Sequence, residues 1–324
     1  MSTAVATAPP ESRARKYAAI FRSGDQVSHL VTLLFAASVL VMTVFLVYEL
    51  WIHSDASRAK FGFSFLWRSV WDPVTGEFGA WPFIYGTVLT SVLALIISVP
   101  LGVGAAIFLS ELAPPRLSNS CTFLVELLAA VPSVIYGLLA LFTIVPLMRT
   151  TVEPFLKQTL GFLPWFQGPA YGVGYLTAAV ILAIMTFPFI ISISRESLLA
   201  VPREQREAAL ALGATQWEST IKVVVPYARL GIIGSIFLAL ARALGETMAV
   251  TMVIGNDTTI HTSLLAPGYT IAAIIANEFT EATGAVYLSS LIELGLVLFA
   301  LTMVLNALAQ LMIIATTGKG TKIT

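Results

Sequence analysis

Long apolar runs alternate with short polar segments along the chain, and six runs are long enough to be transmembrane helices. They lie near residues 30–52, 83–109, 121–148, 172–194, 230–254 and 286–315. A helix needs about 20 apolar residues to cross roughly 30 Å of hydrocarbon. The first run exceeds the roughly 7 to 15 apolar residues of a signal peptide, so we interpret it as a span. The pattern predicts an all-α membrane protein, with a polar tail at 1–28 and a transmembrane domain at 29–324.

Composition supports a membrane protein and argues against other classes. Of 324 residues, 57% are hydrophobic and 11% charged, and the mean hydropathy is +0.87. A soluble domain has about 25% charged residues. The net charge of zero gives no reason to expect nucleic acid as a partner. The single Cys121 cannot form an intramolecular disulfide, and no His or Cys spacing indicates a metal site or a catalytic nucleophile. We therefore expect a protein of the lipid bilayer with no cofactor.

The distribution of Lys and Arg predicts the orientation in the membrane. With the N-terminus inside, twelve Lys and Arg residues fall on the inner side and five on the outer side, while Arg242 lies within a span. Basic residues are enriched in the cytoplasmic loops of membrane proteins. Both termini are therefore expected in the cytoplasm, and the segment at about 195–227 becomes an inner loop.

This inner loop carries signals for two short helices. Pro202 suits the first position of a helix, and Gly213 is placed to end it in a left-handed conformation. Thr215 and Glu218 form a T-x-x-E capping box, which begins a second helix that we expect to end before Pro226. Two capped elements favour a docking device over a plain connector, although the pattern leaves the connector open.

The run EAALALGATQWESTIKVVVP, from Glu207 to Pro226, resembles the EAA loop of membrane subunits of type I ABC importers. The matching positions are Glu207, Ala208, Ala209, Gly213, Ile221 and Pro226. The resemblance implies the six-helix type I permease fold, with a coupling helix that sits in a cleft of a cytoplasmic ATPase subunit. The sequence itself has no G-x-x-x-x-G-K-[ST] motif, so we expect a transport subunit rather than an enzyme, with ATP hydrolysed by a partner.

Two further segments narrow the resemblance. RALGETMAVTMVIGN (242–256) and LLAPGYTIAAIIANEF (264–279) resemble the PstC family, the C subunits of phosphate-specific ABC importers. This implies a multi-pass protein of the bacterial cell membrane that pairs with a sister permease of the PstA type. It also implies a pair of identical ATPase subunits inside and a phosphate-binding protein outside. In this family the Arg and Glu of R-A-L-G-E-T are implicated in phosphate translocation, which assigns that role to Arg242 and Glu246.

Physical chemistry also singles out Arg242 and Glu246. An arginine in the centre of a membrane helix costs about 2.5 to 3.5 kcal/mol on insertion scales and usually faces a partner or water. Since Glu246 follows four residues later, the pattern predicts that it lies on the same helix face and neutralises Arg242 at rest. The guanidinium fork matches two phosphate oxygens. The carboxylate could accept a hydrogen bond from a P–OH group, which fully ionised sulfate lacks. A buried ion pair that only fastens two helices is the structural alternative.

Other interpretations stay open. Glu126 and Glu293 are acidic residues within predicted spans and could line a path or only join helices. The apolar stretch 270–276 is too short to span and could be part of an outer gate or a seat for the binding protein. The tryptophans of 53–82 are compatible with an aromatic belt at the outer surface, with docking as the alternative. Two alternative functions are a permease for another oxyanion, such as sulfate or molybdate, and a channel or secondary transporter that needs no ATPase.

Overall fold

The computed structural model describes residues 25–317, and every regular element within this range is helical. The helices are α1 (Asp25–His53), α2 (Asp55–Phe61), α3 (Trp81–Ile107), α4 (Pro115–Ala129), α5 (Ser133–Leu139), α6 (Val145–Leu147), α7 (Glu153–Leu160), α8 (Tyr175–Leu199), α9 (Arg203–Ala211), α10 (Gln216–Ser219), α11 (Val225–Gly245), α12 (Met248–Val253), α13 (Ile271–Glu278) and α14 (Ala285–Thr317). Residues 1–24 of the predicted tail and residues 318–324 lie outside the described range. α1 forms a compact unit by itself, and residues from Ser54 onward form a second unit.

Six helical stretches in the described range are long and apolar enough to cross a membrane, which confirms the predicted number of spans. They are Ser28–His53, Trp81–Leu112, Ser133–Leu160, Tyr175–Leu199, Gln216–Gly245 and Ala285–Leu311. In the second unit, α8 packs against both α3 and α11 and carries many fully buried side chains. The hydroxyls of Ser194 on α8 and Ser235 on α11 lie 2.8 Å apart in the interior. α8 is therefore the central helix against which the candidate site is built.

The third predicted span, 121–148, has the wrong boundaries. The helix that contains Cys121 ends at Ala129, and the next begins at Ser133 with Pro132 as its N-terminal cap. A proline is tolerated there because the first turn of a helix has no use for its missing N–H. The span of that region is Ser133–Leu160 instead. Hydropathy alone could not place this break, because both sides of it are apolar.

Pro226 does not end a helix, so that prediction is also wrong. α10 continues through a π-helical turn at Thr220–Val224 into α11, and Gln216–Gly245 is a single helical stretch. A proline clashes with the carbonyl of the preceding turn and lacks a donor. A π-helical turn widens the backbone and moves that carbonyl out of register. Pro146 and Pro154 likewise follow π-helical turns directly.

The tryptophans of the segment 53–82 do not all lie at the surface. Trp71 is 7% exposed and packs edge-on against Phe78 and Phe83, with ring centroids 4.8 Å and 5.0 Å apart. Its indole Nε1 donates a 2.8 Å hydrogen bond to Glu278 at the end of α13. This segment is a folded cap over α13, whose eight residues are too few to span the membrane.

Candidate functional site

The predicted continuous span 230–254 is broken in the middle of the R-A-L-G-E-T motif. α11 ends at Gly245, Glu246 is extended with φ −70° and ψ 127°, and α12 begins at Met248. The Thr247 hydroxyl donates to the Gly245 carbonyl at 3.3 Å, and the Glu246 carboxylate accepts from the Ala249 N–H at 3.4 Å. Glycine favours a helix end, and these side chains satisfy backbone groups that the break leaves free. The motif therefore ends one helix and begins the next.

Arg242 and Glu246 form no ion pair, so the prediction that Glu246 neutralises Arg242 in the same helix is wrong. The four-residue spacing places two side chains on one face only while the helix continues, and Glu246 has already left it. Arg242 occupies the last turn of α11. A positive charge is favoured there because the C-terminal end of a helix dipole is negative.

Arg242 has an aromatic neighbour instead of an acidic one. Its guanidinium carbon lies 4.3 Å from the centroid of the Phe189 ring on α8. Its Nε is buried and has no hydrogen-bond partner among the described residues. A cation over a ring face is attracted without being neutralised. The guanidinium is thus in contact with a ring on one side, and its charge is not compensated by an acidic side chain among the described residues. Sequence reasoning missed Phe189, because an aromatic residue in an apolar span carries no local signal of this contact.

The short helix α12 is fixed by a close approach to α5. A Cβ added to Gly137 would lie 2.6 Å from the Met252 sulfur and 3.0 Å from the Ala249 Cα, so only glycine fits this crossing. One residue earlier, the buried Tyr136 donates its hydroxyl to the Leu128 carbonyl at 2.8 Å and bridges the break between α4 and α5. The backbone after Glu246 is therefore packed firmly against the third span.

The capped structure predicted for the inner loop is confirmed. α9 ends with the Ala214 N–H bonded to Ala209 and the Gly213 N–H bonded to Leu210, at 3.1 Å and 2.9 Å. This is the Schellman arrangement, and Gly213 has the positive φ of +87° that it requires. The Thr215 hydroxyl and the Glu218 carboxylate complete the predicted capping box. The two helices are thus joined by a fixed turn.

The residues of the EAA pattern present an open surface. Glu207 and Ala208 are exposed on α9, while Ala209 faces inward. Beside them Leu212 is 90% exposed and Trp217 is 57% exposed. Exposed apolar patches are typical of surfaces that bind another protein. We call α9, the turn and Trp217 the docking surface.

The remaining acidic residues lie in different environments. Glu126 is exposed on α4, whereas Glu293 on α14 is buried and its Oε2 has no partner among the described residues. Asp257 bonds to His261 at 3.1 Å beside a cavity of about 280 Å³ in the loop after α12. Burial raises the pKa of Asp257, but hydrogen bonds from Thr259 and His261 outweigh it, so the pKa lies below its usual value. The described residues form no cluster that could hold a metal ion.

Six candidate spans, a helix broken beside an arginine that has no ion pair among the described residues, and an exposed pair of capped helices are the features of a multi-pass membrane protein. Residues 98–313 match the family model of the binding-protein-dependent transport system inner membrane component. Among solved structures, a bacterial alginate ABC transporter has a TM-score of 0.60 at 15% identity, covering 93% of this chain and 99% of its own. The MetNI methionine ABC transporter gives 0.54 at 17% identity, covering 76% and 100%. These likenesses establish the fold of an ABC importer permease.

Related proteins indicate the family of ABC importer permeases to which this chain belongs. The phosphate transport system permease protein PstC of Mesorhizobium japonicum is 48% identical over 317 residues, which cover 96% of this chain and 97% of the relative. PstC of Haemophilus influenzae is 46% identical over 87% of this chain and 90% of its own length. A probable PstC of Methanocaldococcus jannaschii is 39% identical, over 74% and 77%. The chain belongs to the PstC family of binding-protein-dependent inner membrane permeases.

Proposed function

We propose that this chain is the transmembrane permease subunit of an ATP-driven phosphate importer, and that it forms half of the translocation path. A sister permease of the PstA type supplies the other half, and a pair of ATPase subunits binds the docking surface in the cytoplasm. A phosphate-binding protein delivers phosphate at the opposite face. Both termini lie in the cytoplasm, and the domain that does this work is 29–324. The permease names of the relatives support this function.

The observation that carries the proposal is the guanidinium of Arg242, which has no ion pair among the described residues and lies in the last turn of a candidate membrane span. An uncompensated charge within a membrane span is costly, and its cost is offset when an anion or water reaches it. Arginine stays charged at physiological pH and offers two parallel donors to a phosphate group. Phe189 holds one face of the guanidinium and leaves its charge free. In this proposal Arg242 is a transient anchor for phosphate.

Glu246 has a different role from the one that its spacing predicts. Because its carboxylate accepts from the Ala249 N–H instead of pairing with Arg242, it does not neutralise the anchor at rest. We infer that its carboxylate accepts a hydrogen bond from the P–OH group of passing phosphate. Fully ionised sulfate has no such proton and would meet only repulsion. Glu246 would then add selectivity for phosphate over sulfate to that of the binding protein.

The docking surface couples the path to ATP hydrolysis in this proposal. Glu207 and Ala208 are accessible to a partner, and Gly213 fixes the direction of the following helix. Because α10 and α11 are one helical stretch with the π-helical turn, movement of the docking surface reaches Arg242 along a continuous helix. Alternating access then follows from closure and opening of the ATPase pair.

The proposal is tested by anion competition with the complete complex. We expect radiolabelled phosphate to be taken up with ATP, unlabelled phosphate to compete, sulfate and molybdate to fail, and vanadate to stop uptake. An ATPase subunit should copurify with the chain. Competition by sulfate or molybdate with equal strength would favour a permease for those oxyanions. Uptake without ATPase would favour a channel or secondary transporter, and either result would overturn the proposal.

A further inference from the structure

The helix α9 is attached to the rest of the chain by very few side chains. Of its nine residues, only Arg206 and Ala209 are not exposed. Ala209 offers a single methyl group, which is too small to hold a helix firmly by apolar packing. Arg206 therefore carries most of the side-chain connection between α9 and the second and fourth spans.

Arg206 binds Glu111 through both arms of its guanidinium. Its Nε lies 3.1 Å from one carboxylate oxygen of Glu111 and its Nη2 lies 2.8 Å from the other. Glu111 belongs to the π-helical turn Phe108–Leu112, which ends the second span. The side chains are 21% and 8% exposed, whereas those of the neighbouring pair Lys222 and Glu218 are 72% and 43% exposed. The Arg206–Glu111 pair is thus shielded and rigid, and it joins parts of the chain 95 residues apart.

The same arginine reaches the fourth span. Its Nη2 donates to the Leu198 carbonyl at 2.8 Å, and its Nη1 donates to the Val201 carbonyl. Leu198 lies in the last turn of α8, where carbonyls have no partner within the helix. From the start of the fifth span, the Gln216 amide donates to the Glu111 carbonyl at 2.7 Å. Arg206 therefore ties α9 to the ends of the second and fourth spans, and Gln216 ties the start of the fifth span to the end of the second.

We propose that Arg206 and Glu111 are the positioning residues that transmit movement of α9 to the second and fourth spans. This inference rests on the proposed coupling role of the docking surface. A bidentate charged pair resists sliding and rotation, which a single methyl contact does not. When the ATPase subunits move α9, the second and fourth spans move with it. Without the pair, the ATPase still binds, but its movement no longer reaches the second and fourth spans.

The test uses the complete complex in proteoliposomes, with three readouts: copurified ATPase, the rate of ATP hydrolysis and phosphate taken up per ATP. We expect Arg206→Gln and Glu111→Gln to keep the ATPase bound while phosphate per ATP falls about tenfold, because a charged hydrogen-bonded pair is lost. Arg206→Lys keeps the charge but not the two-armed guanidinium, so its phosphate per ATP should lie between those of the unmodified complex and Arg206→Gln. Lys222→Gln removes an exposed ion pair of the same region and should keep the normal ratio.

A reciprocal exchange guards against variants that fail to assemble. The double variant Glu111→Arg with Arg206→Glu should recover part of the ratio, but not all, because Leu198 and Val201 still lack their donor. Normal phosphate per ATP in Arg206→Gln or Glu111→Gln would overturn the inference, as would a normal ratio in Arg206→Lys. Glu207→Lys tests the docking role separately. If Glu207→Lys leaves ATPase binding and uptake intact, the docking proposal fails. The Arg206 variants then show separately whether the contact with Glu111 matters for transport.

Discussion

The contact between Arg242 and Phe189 makes the sharpest prediction about the path. Replacing Phe189 by leucine keeps an apolar side chain of similar bulk but removes the ring face that lies 4.3 Å from the guanidinium carbon. Both residues are half-buried. A cation–π contact contributes about 0.5 to 1 kcal/mol when exposed and about 2 when desolvated. We therefore expect the free energy that holds the Arg242 guanidinium in its binding position to fall by about 1 to 2 kcal/mol. This corresponds to roughly a 5- to 30-fold slower uptake.

The assay is the maximal rate of phosphate uptake at saturating binding protein, normalised to the amount of assembled complex. Phe189→Trp offers a better ring face and should retain most of the rate. Phe187→Leu is the matched control, because Phe187 lies on the other side of Pro188 and has no ring contact with Arg242 among the described residues. If Phe189→Leu transports at the normal rate, or if Phe189→Trp is as slow as Phe189→Leu, the ring does not position the guanidinium.

Three further predictions concern selectivity, coupling and packing. Glu246→Gln should lose discrimination in the permease, so that sulfate slows phosphate uptake; unchanged phosphate transport with unchanged rejection of sulfate would end the proposed role. Gly213→Pro and Glu207→Lys should each separate ATP hydrolysis from uptake at normal complex abundance, because a proline cannot adopt φ +87° and a lysine reverses the charge on the docking surface; full uptake would contradict coupling there. Gly137→Val should destabilise the complex by about 1 to 3 kcal/mol by overpacking against α12, whereas Gly104→Ala, with open space around its added Cβ, should not; equal melting temperatures would refute the crossing.

Much of the fold could be predicted because hydropathy reports the bilayer directly. The six spans, the Gly213 turn and the Thr215 capping box depend on local composition or on short fixed spacings, and all are present. The break after Gly245 could not be predicted from hydropathy, since residues on both sides are apolar. The G-E-T sequence did contain its signal, namely a glycine followed by two residues whose side chains bond to the backbone.

The chemistry of the candidate site depends on contacts that sequence spacing does not encode. Arg242 and Glu246 are close in sequence, yet no ion pair joins them, because the helix ends between them. Phe189 and Glu111 lie far from Arg242 and Arg206 in sequence, but the packing of α8 and the end of the second span bring each to its arginine. The sequence pattern identifies charged residues whose burial in a membrane costs free energy, but it does not identify the side chains that surround them.

The most direct measurement of the proposed path is phosphate uptake by the assembled complex that carries Arg242→Gln, compared with Arg242→Lys. We expect Arg242→Gln to lose about a hundredfold in rate, because two charged hydrogen bonds to the anion disappear, and Arg242→Lys to keep an intermediate rate through its charge alone. The ATPase should remain bound in both variants. Uptake at the normal rate by the Arg242→Gln complex would contradict the claim that this guanidinium binds phosphate on its path through the membrane.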